Sequence, residues 1–110
     1  MGEREPNQTD SESQPEPRLF PRTLFEMGQI VVTTGAAMTL EAICRHPVQL
    51  LARHVEGDWG DLPEHDIYVN AQALEYGERL FSRYEIEDAR FYVITEWDRS
   101  VTTVLLPEEY

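Results

Sequence analysis

Large apolar residues recur in short runs from Leu19 onward, and their spacing predicts the elements of secondary structure. The β-branched run over residues 29–34 predicts a strand. Apolar residues three or four positions apart then predict a helix over residues 36–45 and a second helix from Pro47 to Gly57. Proline suits the first turn of a helix, and glycine suits the position that follows its last turn.

A third helix is predicted after the short polar corner that follows the second. Asp61 is a residue type that caps helix N-termini, and Gly77 marks the end of the helix. Ile67, Ala71 and Leu74 lie on one face at helical spacing, which predicts that this face is buried.

From residue 79 the apolar pattern changes to the alternation typical of strands. It predicts strands over residues 79–86, 90–97 and 101–106, and the short connections between them favour an antiparallel meander. The order β-α-α-α-β-β-β predicts one α+β domain over residues 19–110, with helices on one face of a mainly antiparallel sheet. The position of the first strand in that sheet stays open.

The beginning of the chain has a different composition. Residues 1–18 contain no large apolar residue after the initiator methionine and many acids and prolines, which predicts a disordered acidic arm. Neither a secretory signal nor a run of about 20 apolar residues is apparent, so we expect a cytoplasmic protein without membrane contact. The single cysteine, Cys44, lies on the apolar stripe of the first helix, which predicts a small buried side chain.

Charge narrows the class of partner. The chain has 21 acidic residues against 9 basic ones, every basic residue is arginine, and the net charge is −12. Such a protein repels nucleic acid and anionic membranes and attracts basic surfaces. Direct binding of DNA or RNA is therefore not expected.

The polar corner between the second and third helices contains candidate metal ligands. His54, Asp58, Asp61 and His65 lie within twelve residues, and imidazole and carboxylate are common ligands. Their spacing matches no established metal-binding pattern, and helix capping and packing explain the same residues. We expect no metal and no cofactor, with these residues as the alternative metal site.

A second group of polar residues surrounds the turn in the stretch ITEWDRS. Glu96 and Arg99, together with His54 and Asp58, form an alternative acid–base pocket for a small hydrolase or nuclease. In the simpler interpretation, Asp98 bonds nearby backbone and Arg99 pairs with a carboxylate. No phosphate-binding glycine loop or serine-nucleophile motif is present, so the balance favours a protein that is not an enzyme.

Two longer stretches, LLARHVEGDWGDL (residues 50–62) and YVITEWDRSVTTVLLPEEY (residues 92–110), resemble a group of small proteins found on bacterial plasmids, integrative elements and phages. Members are often described as type I restriction endonuclease subunit M. This chain is too short for a methyltransferase and lacks an Asn-Pro-Pro-Tyr-type motif. It also has Trp97 where the group tends to have a small residue. The resemblance implies a small acidic protein that travels with mobile DNA, and it implies no catalytic residues.

These observations together predict an accessory protein that acts by protein–protein interaction. Its expected partner is the basic nucleic-acid-binding surface of a host protein complex, and its expected role is anti-restriction or anti-CRISPR activity by nucleic-acid mimicry. A structural or regulatory module that forms a homodimer through an exposed strand edge is a further alternative. The candidate contact residues are Glu56, Asp58, Asp61, Glu64, Asp66, Glu75, Glu78, Glu108 and Glu109.

Overall fold

A computed structural model describes residues 22–110, and the predicted arm over residues 1–18 lies outside the described residues. Residues 22–110 form three helices and four strands in the predicted order, which confirms the α+β class. The elements are β1 (Gln29–Val32), α1 (Thr34–Ala42), α2 (Pro47–Val55), α3 (Glu64–Tyr76), β2 (Leu80–Ile86), β3 (Ala89–Thr95), β4 (Val101–Leu105) and a 3₁₀ turn (Pro107–Glu109).

The sheet has the strand order β1-β4-β3-β2. Strands β2, β3 and β4 form the predicted antiparallel meander. Strand β1 pairs in parallel with β4, in a register that places Val32 beside Val104. Within the described residues, β1 and β2 are therefore the two edges of the sheet.

One face of the sheet and the helices α1 and α2 enclose the main core. Tyr84 and Phe91 from the strands pack there with Ala36, Leu40 and Leu50 from the helices, and all five are at most 1% exposed. Burial of large apolar side chains provides most of the favourable free energy of such a fold. Successive side chains of a strand point to opposite faces of the sheet, so the side chains that enter this core alternate along these strands.

The first helix begins and ends earlier than its pattern predicts. The hydroxyl of Thr33 accepts a hydrogen bond from the Ala36 amide at 3.1 Å, so Thr33 caps the helix and Gly35 lies inside it. Cys44 has a φ of 59° beyond the helix end and is exposed. Its predicted burial is wrong, because the chain turns away from the core before reaching it.

The third helix does not use its predicted cap. Pro63 is the N-cap residue, and Asp61 instead joins the edge of the sheet. The Asp61 amide donates to the Arg83 carbonyl at 2.7 Å, and the Arg83 guanidinium donates to the Asp61 carbonyl at 2.8 Å. The corner is therefore held by backbone pairing with β2.

The predicted buried stripe of α3 is also wrong. Ile67 and Ala71 are exposed and Leu74 is only partly buried, whereas Asn70 and Ala73 are the buried positions. The physical reason is that α3 lies along the outer edge of β2 and not across the face of the sheet. Contact with an edge buries a narrow side of the helix.

Asn70 makes that edge contact with its side-chain amide. Its Nδ2 donates to the Phe81 carbonyl at 2.7 Å, and its Oδ1 accepts from the Phe81 amide at 3.2 Å. The next outward-facing residue, Arg83, donates its amide to the Trp59 carbonyl at 3.1 Å. Together with Asp61, these groups satisfy the outward backbone groups of Phe81 and Arg83, which would otherwise lie at an open sheet edge.

Candidate functional site

His54 lies in the core and is 0% exposed. Its Nδ1 lies 2.6 Å from the Ser82 hydroxyl, and its Nε2 lies 2.9 Å from the Thr95 hydroxyl. The Thr95 hydroxyl lies 2.7 Å from the Thr102 hydroxyl, which donates to the Met27 carbonyl at 2.7 Å. Both ring nitrogens of His54 are therefore satisfied by a buried hydrogen-bond chain that reaches across three strands.

The direction of this chain determines the tautomer of His54. Each hydroxyl has one proton to donate. Because Thr102 donates to Met27, it accepts from Thr95, and Thr95 in turn accepts from His54 Nε2–H. Nδ1 is then the acceptor for Ser82. The network thus matches a neutral imidazole protonated at Nε2.

Burial, together with a smaller contribution from the positive charge of Arg99, lowers the pKa of His54 to about 3. Phe25 and Trp59 each meet the ring edge-on, with centroid distances of 5.2 and 5.6 Å. Trp59 is 9% exposed and belongs to the buried core. A ring held neutral and out of solvent packs the core, so His54 supplies no positive charge at the end of α2.

Arg99 binds backbone and not a carboxylate. Its Nη1 donates to the carbonyls of Glu78, Glu96 and Trp97 at 2.6, 3.1 and 3.2 Å. Its Nη2 donates to the Ala73 carbonyl at 3.1 Å. The guanidinium therefore joins the end of α3 to the turn between β3 and β4, and its cationic charge suits the negative end of the helix dipole.

The alternative catalytic pocket is not formed by these residues. His54 is sealed, and Arg99 is occupied by carbonyl oxygens. The Asp58 carboxylate pairs with Arg53 at 2.7 Å on the surface, and the Arg53 hydrogen bond lowers the pKa of Asp58. Glu96 lies 3.8 Å from Arg79. The four predicted groups do not converge on a space that a substrate could enter.

The alternative metal site is not assembled either. Asp58, Asp61 and His65 are exposed, while His54 is enclosed in the core. Across residues 22–110, no group of three or more histidine, cysteine or acidic side chains is arranged to hold a metal ion. These residues are close in the sequence, but the turn at the corner points the His54 side chain into the core and leaves the other three side chains at the surface.

Every acid predicted as a partner contact is exposed. Asp58 pairs with Arg53, and Glu109 accepts hydrogen bonds from the Thr33 hydroxyl at 2.6 Å and the Leu106 amide at 2.8 Å. Glu56 accepts a hydrogen bond from the Arg22 amide at 3.1 Å. The remaining acids on or beside α3 are Asp61, Glu64, Asp66, Glu75 and Glu78.

The outward side of α3 combines acids with large apolar residues. We define the α3 outer face as Glu64, Ile67, Tyr68, Ala71 and Glu75, which share one side of the helix at spacings of three and four residues and are all exposed. Ile67 is 43% exposed and Tyr68 is 61% exposed. An exposed apolar patch bordered by polar residues is typical of a protein-binding surface.

The arginines offer little to balance these acids. From residue 45 onward, each guanidinium is held by another part of the chain. Arg45, Arg53, Arg79 and Arg90 pair with carboxylates, and Arg83 and Arg99 bind backbone carbonyls. No arginine of residues 22–110 is paired with Glu64, Asp66 or Glu75. Within residues 22–110, no paired arginine therefore balances the negative charge of the α3 outer face.

The sequence reasoning identified the acids of this face but missed Ile67 and Tyr68 as surface residues. It also missed the buried polar chain. A signal for that chain was present, because Ser82, Thr95 and Thr102 occupy inward positions of their strands among apolar neighbours. Small hydroxyl side chains on a buried strand face need a partner, and His54 is the buried group that supplies one.

Comparison with protein-family models, curated proteins and solved structures finds no match for this chain. Within the part of the chain that the structure describes, no helix has the length and apolar character needed to cross a bilayer.

Proposed function

We propose that this protein is an interaction protein that docks the α3 outer face on a basic, nucleic-acid-binding surface of a host protein. The observation that carries the proposal is the placement of exposed Ile67 and Tyr68 between Glu64 and Glu75 on a helix without a covering element in residues 22–110. Apolar area supplies affinity, and the acids select a basic partner.

The electrostatic environment supports the same partner. The net charge is −12, and the arginines from residue 45 onward are held by internal contacts. Within residues 22–110, positive charge beside α3 is therefore partly offset by paired carboxylates, and complementary charge speeds association with a basic surface. A groove that normally holds a phosphate backbone has the required positive charge.

The resemblance to small proteins of plasmids, integrative elements and phages gives this proposal its biological setting. An acidic protein encoded on mobile DNA gains from occupying the nucleic-acid channel of a restriction or CRISPR-type complex. The proposed role is therefore anti-restriction or anti-CRISPR activity by mimicry of nucleic acid, with no chemical reaction.

The test is recovery of host proteins on the immobilised full chain after nuclease treatment, followed by competition with double-stranded DNA. We expect a nucleic-acid-binding complex that is released by DNA and by raising the salt concentration from about 0.05 to 0.5 M. The recovered complex, once purified, should lose DNA binding when the protein is added.

Matched variants assign the effect to the helix. The double variant E64Q/E75Q and the single variant Y68A should each weaken capture at least about tenfold, since an aromatic anchor and its flanking charges dominate such interfaces. The control E26Q/E41Q removes the same charge from exposed positions away from α3 and should retain capture. Equal loss in the control, or capture that DNA does not displace, contradicts the proposal.

A further inference from the structure

The two edges of the sheet differ in how their backbone groups are satisfied. Along the β2 edge, Asn70 covers the outward backbone groups of Phe81, and the segment from Trp59 to Asp61 covers those of Arg83. The β1 edge has no such cover among residues 22–110, where it is the terminal strand of the sheet. An open edge is a template for pairing with another strand.

The outward backbone groups of β1 belong to Ile30 and Val32. The amides of Gln29 and Thr33 donate to the carbonyls of Ser100 and Val104 at 2.9 and 3.0 Å, and a parallel ladder alternates between inward and outward residues. Ile30 is 40% exposed and Val31 is 38% exposed. The edge therefore offers two donors, two acceptors and exposed apolar side chains.

Charge indicates what can occupy this edge. Residues 27–40 contain no ionisable side chain, and this is the longest uncharged stretch of a chain with a net charge of −12. Native edge strands are usually protected by charge, proline or a bulge, and β1 has no charge or proline to provide such protection. An uncharged strand allows a second acidic molecule to approach without charge repulsion at the edge, whereas it provides no acidic side chain to attract a basic partner.

We infer that the occupant is a second copy of this chain, paired antiparallel through β1 about a two-fold axis at Val31. In that register Ile30 of each copy faces Val32 of the other, and each pair exchanges two backbone hydrogen bonds. The two Val31 side chains meet on the face opposite the helices. The four outward groups of each strand are then satisfied by the same four groups of the copy, as an isologous interface requires.

The position of α1 leaves room for this pairing. Helix α1 packs against β4, inward of β1, so the edge itself is not covered by the helix layer. Because α3 lies at the β2 edge, the dimer is a continuous sheet with an α3 outer face at each end. The inference is therefore independent of what α3 binds.

The first test measures the mass of the full chain by sedimentation, from about 1 µM to about 1 mM, a range suited to a small interface. We expect a shift from one to two chain masses, and a larger dimer fraction at higher salt, because salt screens repulsion between two acidic molecules. Binding of a basic partner through the α3 outer face should weaken at higher salt. The opposite salt dependences therefore distinguish failure of the dimer from failure of the proposed partner binding.

The second test uses Val31→Lys, with Val48→Lys as the control because Val48 is 55% exposed on α2. Both changes reduce the net negative charge equally, so general repulsion cannot explain a difference. Val31→Lys should weaken the dimer at least about tenfold by placing like charges directly opposite each other, while Val48→Lys should not.

Disulfide trapping tests the register without relying on a destabilising change. In a Cys44→Ser background, Val31→Cys should form a cross-linked dimer under mild oxidation, since directly opposed residues of a non-hydrogen-bonded pair lie within disulfide reach. Val48→Cys is the control and should stay largely uncross-linked. A monomer at all concentrations and salts, a dimer unaffected by Val31→Lys, or equal trapping at both cysteines would overturn the inference.

Discussion

Acidification should destabilise this protein through His54, and the structure gives the size of the effect. The ring is neutral in the folded state, with a pKa lowered to about 3 by burial and by Arg99. In the unfolded chain its pKa returns to about 6.5. Below pH 6.5 the unfolded state therefore binds a proton that the folded state does not, and stability falls as pH falls.

The magnitude follows from proton linkage. Between pH 7 and pH 5, the free energy of unfolding should fall by about 2 kcal/mol because of this one residue. If the protein survived to the folded-state pKa, the loss between pH 6.5 and pH 3 would be about 4 kcal/mol, comparable to the total stability of a small domain.

The assay is urea denaturation at pH 7, 6 and 5, comparing the wild type with His54→Gln. Glutamine keeps hydrogen-bonding capacity toward Ser82 and Thr95 but does not titrate. The exposed His46 and His65 are present in both proteins, so their contributions cancel. From pH 7 to pH 5, the wild type should lose about 2 kcal/mol of unfolding free energy relative to the variant. This loss corresponds to a decrease of about 1 M in the urea midpoint of the wild type relative to that of the variant.

Parallel pH dependence in the two proteins would refute the reasoning, whatever the absolute stability of the variant. So would an NMR titration of the folded protein in which the His54 ring protonates with a midpoint near 6.5. Either result would mean that the ring reaches solvent and that the buried hydrogen-bond chain does not hold it neutral.

Two further predictions concern backbone positions at the sheet edges. Gly28→Ala should lower the free energy of unfolding, measured by urea denaturation, by about 3 kcal/mol or more, because φ is 66° and a Cβ would overlap backbone carbonyls that precede β4. The control Gly77→Ala has a similar φ of 73° but no atoms near the added Cβ, so it should lower the free energy of unfolding by only about 1 kcal/mol. Equal costs would show that strain, not contact, governs both sites. Asn70→Ala should cost about 2 kcal/mol and release the Phe81 amide to rapid hydrogen exchange under native conditions, as already expected for the outward Ile30 amide of the monomer. Unchanged protection at Phe81 would show that the Asn70 contact does not seal the edge.

The sequence was sufficient for the fold class because local patterns determine local elements. Alternation over residues 80–105 identified the meander, and apolar spacing with Pro47 identified α2 almost to its ends. These features depend on neighbours within one turn or one hairpin, which a single sequence displays directly.

The burial of α3 was not predictable by the same means. Its apolar stripe through Ile67 and Ala71 has the right spacing for a core, yet the helix docks sideways through Asn70. Spacing reports which residues share a face of a helix, but not which face meets the rest of the protein. That choice depends on long-range pairing of the Trp59–Asp61 segment with β2.

The same distinction applies to the candidate sites. Composition alone determined that this is a strongly acidic chain without lysine. Only the tertiary structure decided that His54 is buried among hydroxyls from β2 and β3 and that Arg99 binds backbone. It also decided that Ile67 and Tyr68 on α3, and Ile30 and Val31 on β1, are exposed. The physical reason is that composition adds residue by residue, whereas burial and convergence depend on contacts between elements far apart in the chain.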